Sequence, residues 1–177
     1  WFFMHNHLEY LPSDSQYFVI DKYPETLLMY KHLIENQRPD LDILYLADSS
    51  TRFPIKPGVI DLHLDFFAVN AHNFYHPTFL YSEISPFLSP KGELLGTYFY
   101  FEGAPKSMKL LLSQYPECYE KNFDLSYFHH SLKESGFQLL EEEDCGCVTD
   151  SGNNLGFGFH VKGEKMHLLP YYGRKCT

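Results

Sequence analysis

Two short apolar runs, each closed by an acidic residue that opens into a turn, set the tightest limit on how this chain can fold. The first is Tyr17-Phe18-Val19-Ile20-Asp21, followed by Lys22-Tyr23-Pro24-Glu25. The second is Ile43-Leu44-Tyr45-Leu46-Ala47-Asp48, followed by Ser49 to Pro54. Near-continuous apolar runs of this length suit strands covered on both faces, as in parallel sheets. Between them Pro24 takes an early helical position, where its missing N–H costs nothing. Leu27, Leu28, Tyr30, Leu33 and Ile34 continue at helical spacing, and Asn36 to Pro39 ends the helix. Strand, helix, strand predicts a βαβ unit with a right-handed crossover. A carboxylate at the carboxyl end of such a strand accepts hydrogen bonds from a ribose or an adenine edge. Two of them on successive strands point to a nucleoside-shaped ligand across the sheet edge.

The rest of the chain continues in the same style. Pro54 to Gly58 reads as a turn and Val59 to Leu64 as a third strand, with a loop and a helical turn over Asp65 to His76. Pro77 to Leu88 is amphipathic, with Phe79, Leu80, Ile84, Phe87 and Leu88 on one face. Ser89-Pro90-Lys91-Gly92 is a stop and a turn, and residues 93–101 give a fourth strand. Lys106 to Leu112 reads as a helix, and Tyr115 to Asn122 as a polar connection. Asp124 is placed to cap a helix over Leu125 to Glu134, which Gly136 terminates. Phe137 to Leu140 predicts a strand that runs into the acidic stretch Glu141 to Asp144. After a turn at Ser151 to Asn154, Leu155 to Val161 alternates as a final strand, antiparallel to the one before it. Lys162, Lys165, Arg174 and Lys175 read as a solvated tail. At the other end, Phe3, Met4, Leu8 and Leu11 fit the end of an amphipathic helix whose start lies before Trp1, so the sequence reads as a fragment of a longer protein.

Composition removes several classes of function. With 177 residues and 44% hydrophobic content, the chain suffices for one domain with a full core. A formal charge of -9 argues against a nucleic-acid footprint, which needs clustered Lys and Arg. The four cysteines form no disulfide-like framework, and Cys145-Gly146-Cys147 lacks the second ligand pair of a zinc site, so no metal is expected. No apolar stretch reaches membrane-spanning length. The chain is expected in the cytoplasm. The 16 Phe and 14 Tyr fit an aromatic core or an aromatic ligand pocket.

The order of these elements resembles the class I S-adenosylmethionine-dependent methyltransferases, from Tyr17 to about Val161. Four blocks carry the resemblance: Val19 to Glu25, Asp48 to Ile55, Ile60 to Phe67, and Glu83 to Gly92, the last like the family's helix ending in Leu-x-Pro-Gly-Gly. The resemblance implies an α/β, Rossmann-like, mostly parallel sheet with a C-terminal antiparallel hairpin, in a single domain over residues 1–177. It also implies that Asp21 binds the ribose hydroxyls and Asp48 the adenine amino group. Lys22 and Ser49 belong to the same set, while Asp65, Phe66 and Phe67 line the cofactor and acceptor pocket. Read from the residues alone, Asp21 could instead cap the next helix, Asp48 could be a turn residue, and Asp61 could be structural or catalytic.

The family's first strand and glycine-rich turn have no counterpart in these residues, so the chain alone is expected to bind the cofactor weakly or not at all and to be inactive. The missing strand would leave unpaired backbone on its neighbours. Methyl transfer needs in-line positioning more than a strong base; Asp65 or His72 could serve as one. No Asn-Pro-Pro-Tyr or Asp-Pro-Pro-Tyr tetrapeptide follows the third strand, so a small-molecule acceptor is the expectation. The alternative is a non-catalytic, methyltransferase-like module that senses a ligand or mediates a homodimer within a larger protein, such as a transcriptional regulator.

Overall fold

The computed structural model describes residues 8–21, 23–47, 54–66, 68–101, 113, 120–149 and 165–176. The chain divides into two compact units, residues 1–54 and 55–177.

In the first unit, β1 (Gln16–Asp21) and β2 (Asp42–Ala47) pair parallel without a register slip, from Gln16 opposite Asp42 to Asp21 opposite Ala47. Helix α1 (Pro24–Gln37) joins them, with Pro24 in its first turn. Its buried Tyr30 and Ile34 pack with Leu8, and Val19, Ile43 and Tyr45 of the strands close over this cluster. Alternation along a strand puts those three on one face, so the helix covers that face as a βαβ crossover requires. Arg38, just past α1, ties down the incoming chain. Its guanidinium donates to the Leu8 and Leu11 carbonyls and pairs with Asp40. The described part of the expected N-terminal helix, Leu8–Tyr10, is a single 3-10 turn; its earlier residues lie outside the description.

The second unit holds a mixed, open sheet in the order β3 (Ile60–Phe66), β4 (Leu88–Phe101), β7 (Lys165–Lys175), β5 (Phe137–Glu142), with β6 (Cys147–Thr149) also on β7. Only β3 and β4 are parallel neighbours, and β7 runs antiparallel to all three strands it meets. β3, β4 and β5 therefore point the same way, and one strand is reversed. The face carrying His63, Asp65, Leu94, Tyr98, Leu169, Tyr171 and Phe137 is covered by α3 (Leu80–Ile84) and α4 (Leu125–Glu134). Tyr81, Tyr98, Phe128 and Phe137 are the largest fully buried side chains among the described residues. The Tyr98 and Phe128 rings stack at 4.3 Å.

Several expectations are corrected here. The tail is β7, an inner strand of the sheet. Its charges sit near its ends while Leu168 to Tyr172 run through the middle; Arg174 is exposed but paired with Glu93, and Lys175 donates to the Ser85 and Leu88 carbonyls. The antiparallel partner of the strand at Phe137 is thus residues 165–175; the segment 155–161 lies outside the described residues, as do the expected helix at 106–112 and the turn at 151–154. Ser89 to Gly92 does not separate helix from strand. It is a bulge within β4, because Ile60 pairs with Leu88 and Leu62 with Glu93. A side chain at Gly92 would meet Leu88 Cβ at 2.8 Å, so the tight turn read from the sequence survives inside the ladder. The helix expected over residues 77–88 is only α3 and a 3-10 turn, since Pro86 cannot continue an α-helix. The loop after Asp65 is a full helix, α2 (Ala68–Tyr75). The β5–β7 ladder stops near Pro170, whose carbonyl still accepts from Glu143 but which has no N–H to return.

Candidate functional site

In open α/β sheets, ligands collect at the carboxyl ends of the strands. In the first unit that edge is closed by Asp21 and Ala47, which are register partners. Asp21 is half-buried, and its Oδ1 accepts the Tyr23 N–H at 2.8 Å, turning the chain into α1. The N-cap of α1 is Tyr23 and has no side-chain cap, so Asp21 shapes the turn without capping the helix itself. No hydrogen bond from a described residue reaches its Oδ2. The buried Tyr30 hydroxyl has its pKa pushed up by burial and, after that, by the nearby Asp21 charge. Lys22, Asp48 and Ser49, the other members of the expected adenosyl set here, lie outside the described residues, so the pairing of Asp21 with Asp48 does too.

In the second unit the carboxyl end of β3 holds a buried polar cluster. Asp65 is 4% exposed. Its Oδ1 accepts the Ala68 N–H at 2.5 Å; its Oδ2 accepts the Val69 N–H at 3.1 Å and the Tyr81 hydroxyl at 2.6 Å. The Tyr171 hydroxyl bonds Tyr81 Oη and lies 3.4 Å from Asp65 Oδ2. Asp65 thus caps α2 and anchors two core tyrosines, which explains why a helix rather than a loop follows it. Burial pushes its carboxyl pKa up, and burial pushes both tyrosine hydroxyls well above their usual value, the Asp65 charge adding to it. Burial also lowers the pKa of His63, whose ring packs edge-on against Tyr81 at 5.9 Å. The Asp65 carboxyl faces the core of this unit. Phe66 pairs with Thr97 in the ladder, and Phe67 lies outside the described residues.

The other candidate base, His72, is buried on α2 and stacked on His76 at 4.6 Å. Burial and then His76 lower its pKa. Asp61 is exposed opposite the β4 bulge. Beside these, Asn70 of α2 lies fully buried. Its amide donates to the Phe99 and Asn122 carbonyls at 3.1 Å and accepts the Phe99 N–H, clamping the helix to β4.

One constellation escaped the sequence reading. Beyond the last β3 pair, β4 and β7 carry Tyr100 opposite His167, their rings stacked at 4.8 Å. Asp144, past the end of β5, takes the Tyr100 hydroxyl at 2.8 Å, His167 Nδ1 at 2.9 Å and the Gly146 N–H at 2.8 Å. These donors, the Gly146 amide foremost, hold its carboxyl below the usual carboxylate range. The only signal in the sequence was an acidic run at the end of a strand, far from any histidine. Among the described residues, no group of three or more His, Cys, Asp and Glu is arranged to hold a metal ion. Among the described residues, no helix is long and apolar enough to cross a membrane.

No family profile and no curated protein sequence matches the chain. Solved structures do. A Bacillus halodurans protein assigned as a methyltransferase superposes with a TM-score of 0.71 over 98% of this chain and 87% of its own, at 14% identity. The MccD protein gives 0.69 over 97% and 96%, at 13% identity. Geranyl diphosphate methyltransferase, solved with S-adenosylmethionine, gives 0.64 over 98% and 83%, at 9% identity. The chain is similar to these in fold, and that fold is the Rossmann-like one of the class I S-adenosylmethionine-dependent methyltransferases.

Proposed function

We propose that this chain is the adenosyl-binding and acceptor-binding part of an S-adenosylmethionine-dependent methyltransferase acting on a small molecule. The observation that carries the reading is the carboxyl edge of the first unit. There Asp21 closes one parallel strand in register with Ala47 closing the next, and one carboxylate oxygen is spent on the local turn. A carboxylate so placed accepts ribose hydroxyls through its second oxygen. Asp48, next in sequence after Ala47, is the proposed partner of the adenine amino group, and Lys22 and Ser49 belong to the same proposed set. Asp65 enters indirectly, by fixing the end of β3. The geranyl diphosphate methyltransferase, named for a small-molecule acceptor, supports that class of substrate.

No glycine-rich turn follows β1, β2 or β3 in the sequence to take the methionine end of the cofactor, so weak affinity is the expected result. The test has two parts. Amide shifts of the chain are followed on titration with S-adenosylhomocysteine, and calorimetry measures its affinity. Shifts centred on residues 20–23 and 47–51, lost in Asp21→Ala, are expected, together with at least tenfold weaker binding of that variant. Shifts confined to other segments sink the site. Micromolar affinity in the 177-residue chain overturns the missing methionine cradle.

A further inference from the structure

The outer edge of β2 is an unprotected apolar surface of the first unit. β1 and β2 form a sheet of two strands, so the side of β2 turned away from β1 meets no other described strand. Between Asp42 and Ala47 the strand reads Ile43-Leu44-Tyr45-Leu46, with no charge, proline or bulge, the devices that ordinarily blunt an exposed edge. Beside it runs a groove of about 450 Å³ between α1 and β2, bordered by Leu28, which is 67% exposed, and Leu44, which is 45% exposed. Among the described residues that line it, only Lys31 is charged, and it pairs with Glu35 at 3.8 Å. β1 carries no large apolar side chain exposed to that degree.

This edge is complementary to itself. Residues directly opposite in an antiparallel pair share a face of the sheet, so a twofold axis relating two copies of β2 passes through a residue and not between two. Centred on Leu44, the axis sets Tyr45 opposite the copy's Ile43, twice by symmetry, and aromatic–β-branched pairs of this kind stabilise sheets. Asp42 then faces the copy's Leu46, so no like charges meet along the strand. Ile43 and Tyr45 pack toward α1, which leaves Leu44 on the opposite face, against its own copy. Because α1 lies over both strands, on Val19 of β1 and on Ile43 and Tyr45 of β2, the two helices come to stand side by side. With neighbouring strands roughly 5 Å apart the helices are about 10 Å apart, the usual spacing of packed helices. Leu28 of each is then covered between them.

We propose that this edge is a homodimer interface: two copies of the chain join antiparallel through β2, centred on Leu44, into one four-stranded sheet with both α1 helices on one face. A second copy fits better than a charged or polar partner, because the strand offers backbone groups and apolar side chains in an order that pairs with itself. The inference uses residues of the first unit alone and stands apart from the methyltransferase reading.

Sedimentation equilibrium of the chain should show monomer and dimer in exchange. Since each copy carries a formal charge of -9, added salt should tighten the association by screening their repulsion. Leu44→Lys sets like charges opposite each other at the axis and should raise the dissociation constant at least about tenfold. An unchanged circular dichroism spectrum and unchanged protection of the β1–β2 amides show that this variant is folded. Cross-linking reads the register. The two copies of Leu44→Cys stand about 4.5–5.5 Å apart at Cα, within reach of a disulfide, and should oxidise to a dimer joined through that residue. The two copies of Ile43→Cys, roughly 8 Å apart, should not. A wild-type chain that stays monomeric up to its highest soluble concentration overturns the proposal, as does a dimer indifferent to Leu44→Lys. A monomer whose Leu28 and Leu44 amides shift on addition of anilinonaphthalene sulfonate gives the groove to a small apolar ligand, and overturns it too.

Discussion

Asp65 and Tyr171 stand on one transverse row of the second unit's sheet, on β3 and β7, with only the bare Cα of Gly96 between them on β4. A β-carbon at Gly96 would come within 2.6 Å of Tyr171 Cζ and 3.0 Å of the Asp65 carbonyl oxygen. The missing side chain is what lets a tyrosine hydroxyl reach a buried carboxyl two strands away. In the sequence, Gly96 is merely a glycine inside a strand.

Gly96→Ala should therefore destabilise the protein by about 1–3 kcal/mol, the usual range for overpacking a filled core. Urea unfolding measures this. The double variant Gly96→Ala/Tyr171→Phe, which removes the hydroxyl in the way, should lose less than the sum of the two single changes. Strict additivity would mean that the collision is relieved some other way.

That row also marks how far the sequence could be read. The strand at β3, the Pro24 entry into α1 and the Asp124 cap were legible because each is a local signal. Asp124 does accept the Tyr127 N–H, at 2.9 Å. Asp65 was legible as the acidic end of a strand, but whether its carboxyl turns outward or into the core depends on Tyr81 and Tyr171, which are 16 and 106 residues away. β7 was lost for a related reason. Basic residues near both ends made it resemble a tail, and its burial depends on β4 and β5. The His167–Asp144 pair spans 23 residues and two strands, and no spacing rule announces it.

Acidification should weaken the fold through its buried histidines. The pKa of His63 is lowered by burial, and so is that of His72. A group whose folded pKa lies below its unfolded value stabilises above the unfolded pKa, near 6.5, and loses that contribution as pH falls through the folded pKa. Asp65 acts with the opposite sign: its pKa is raised, so its contribution is complete only below 3.8 and is lost as pH rises past that value. Between pH 7 and 5 the histidines should dominate, giving a falling urea midpoint. His63→Gln should flatten this slope by up to one proton. A slope identical to wild type would show that His63 takes up its proton equally in the folded and unfolded states.

Asn70 should be among the most sensitive polar positions. Its amide satisfies both the N–H and the carbonyl of Phe99 and the carbonyl of Asn122, while Asn122 Nδ2 returns a bond to the Asn70 carbonyl. Asn70→Leu keeps similar bulk but strips these partners, leaving a buried strand N–H unpaired. About 2–4 kcal/mol is expected from such a loss. Asn70→Asp should be nearly as harmful, because a carboxylate cannot donate to the two carbonyls. Denaturant unfolding of both variants decides this, and a loss below about 0.5 kcal/mol in each would mean water replaces the amide.

In the first unit, Arg38 does the work that a longer hydrophobic contact would otherwise do. Its guanidinium bridges the Leu8 and Leu11 carbonyls while Asp40 fixes its orientation. Lys cannot reproduce that fork, since it carries its charge on a single nitrogen. Arg38→Lys should thus free the 3-10 turn at Leu8–Tyr10 while leaving the β1–β2 pairing intact. Hydrogen exchange reads this directly. The Leu11 amide, bonded to the Leu8 carbonyl, should lose protection at least tenfold, and the β1 amides paired with β2 should change little. If β1 exchanges as fast as Leu11 in this variant, the guanidinium holds the whole first unit rather than its entry segment.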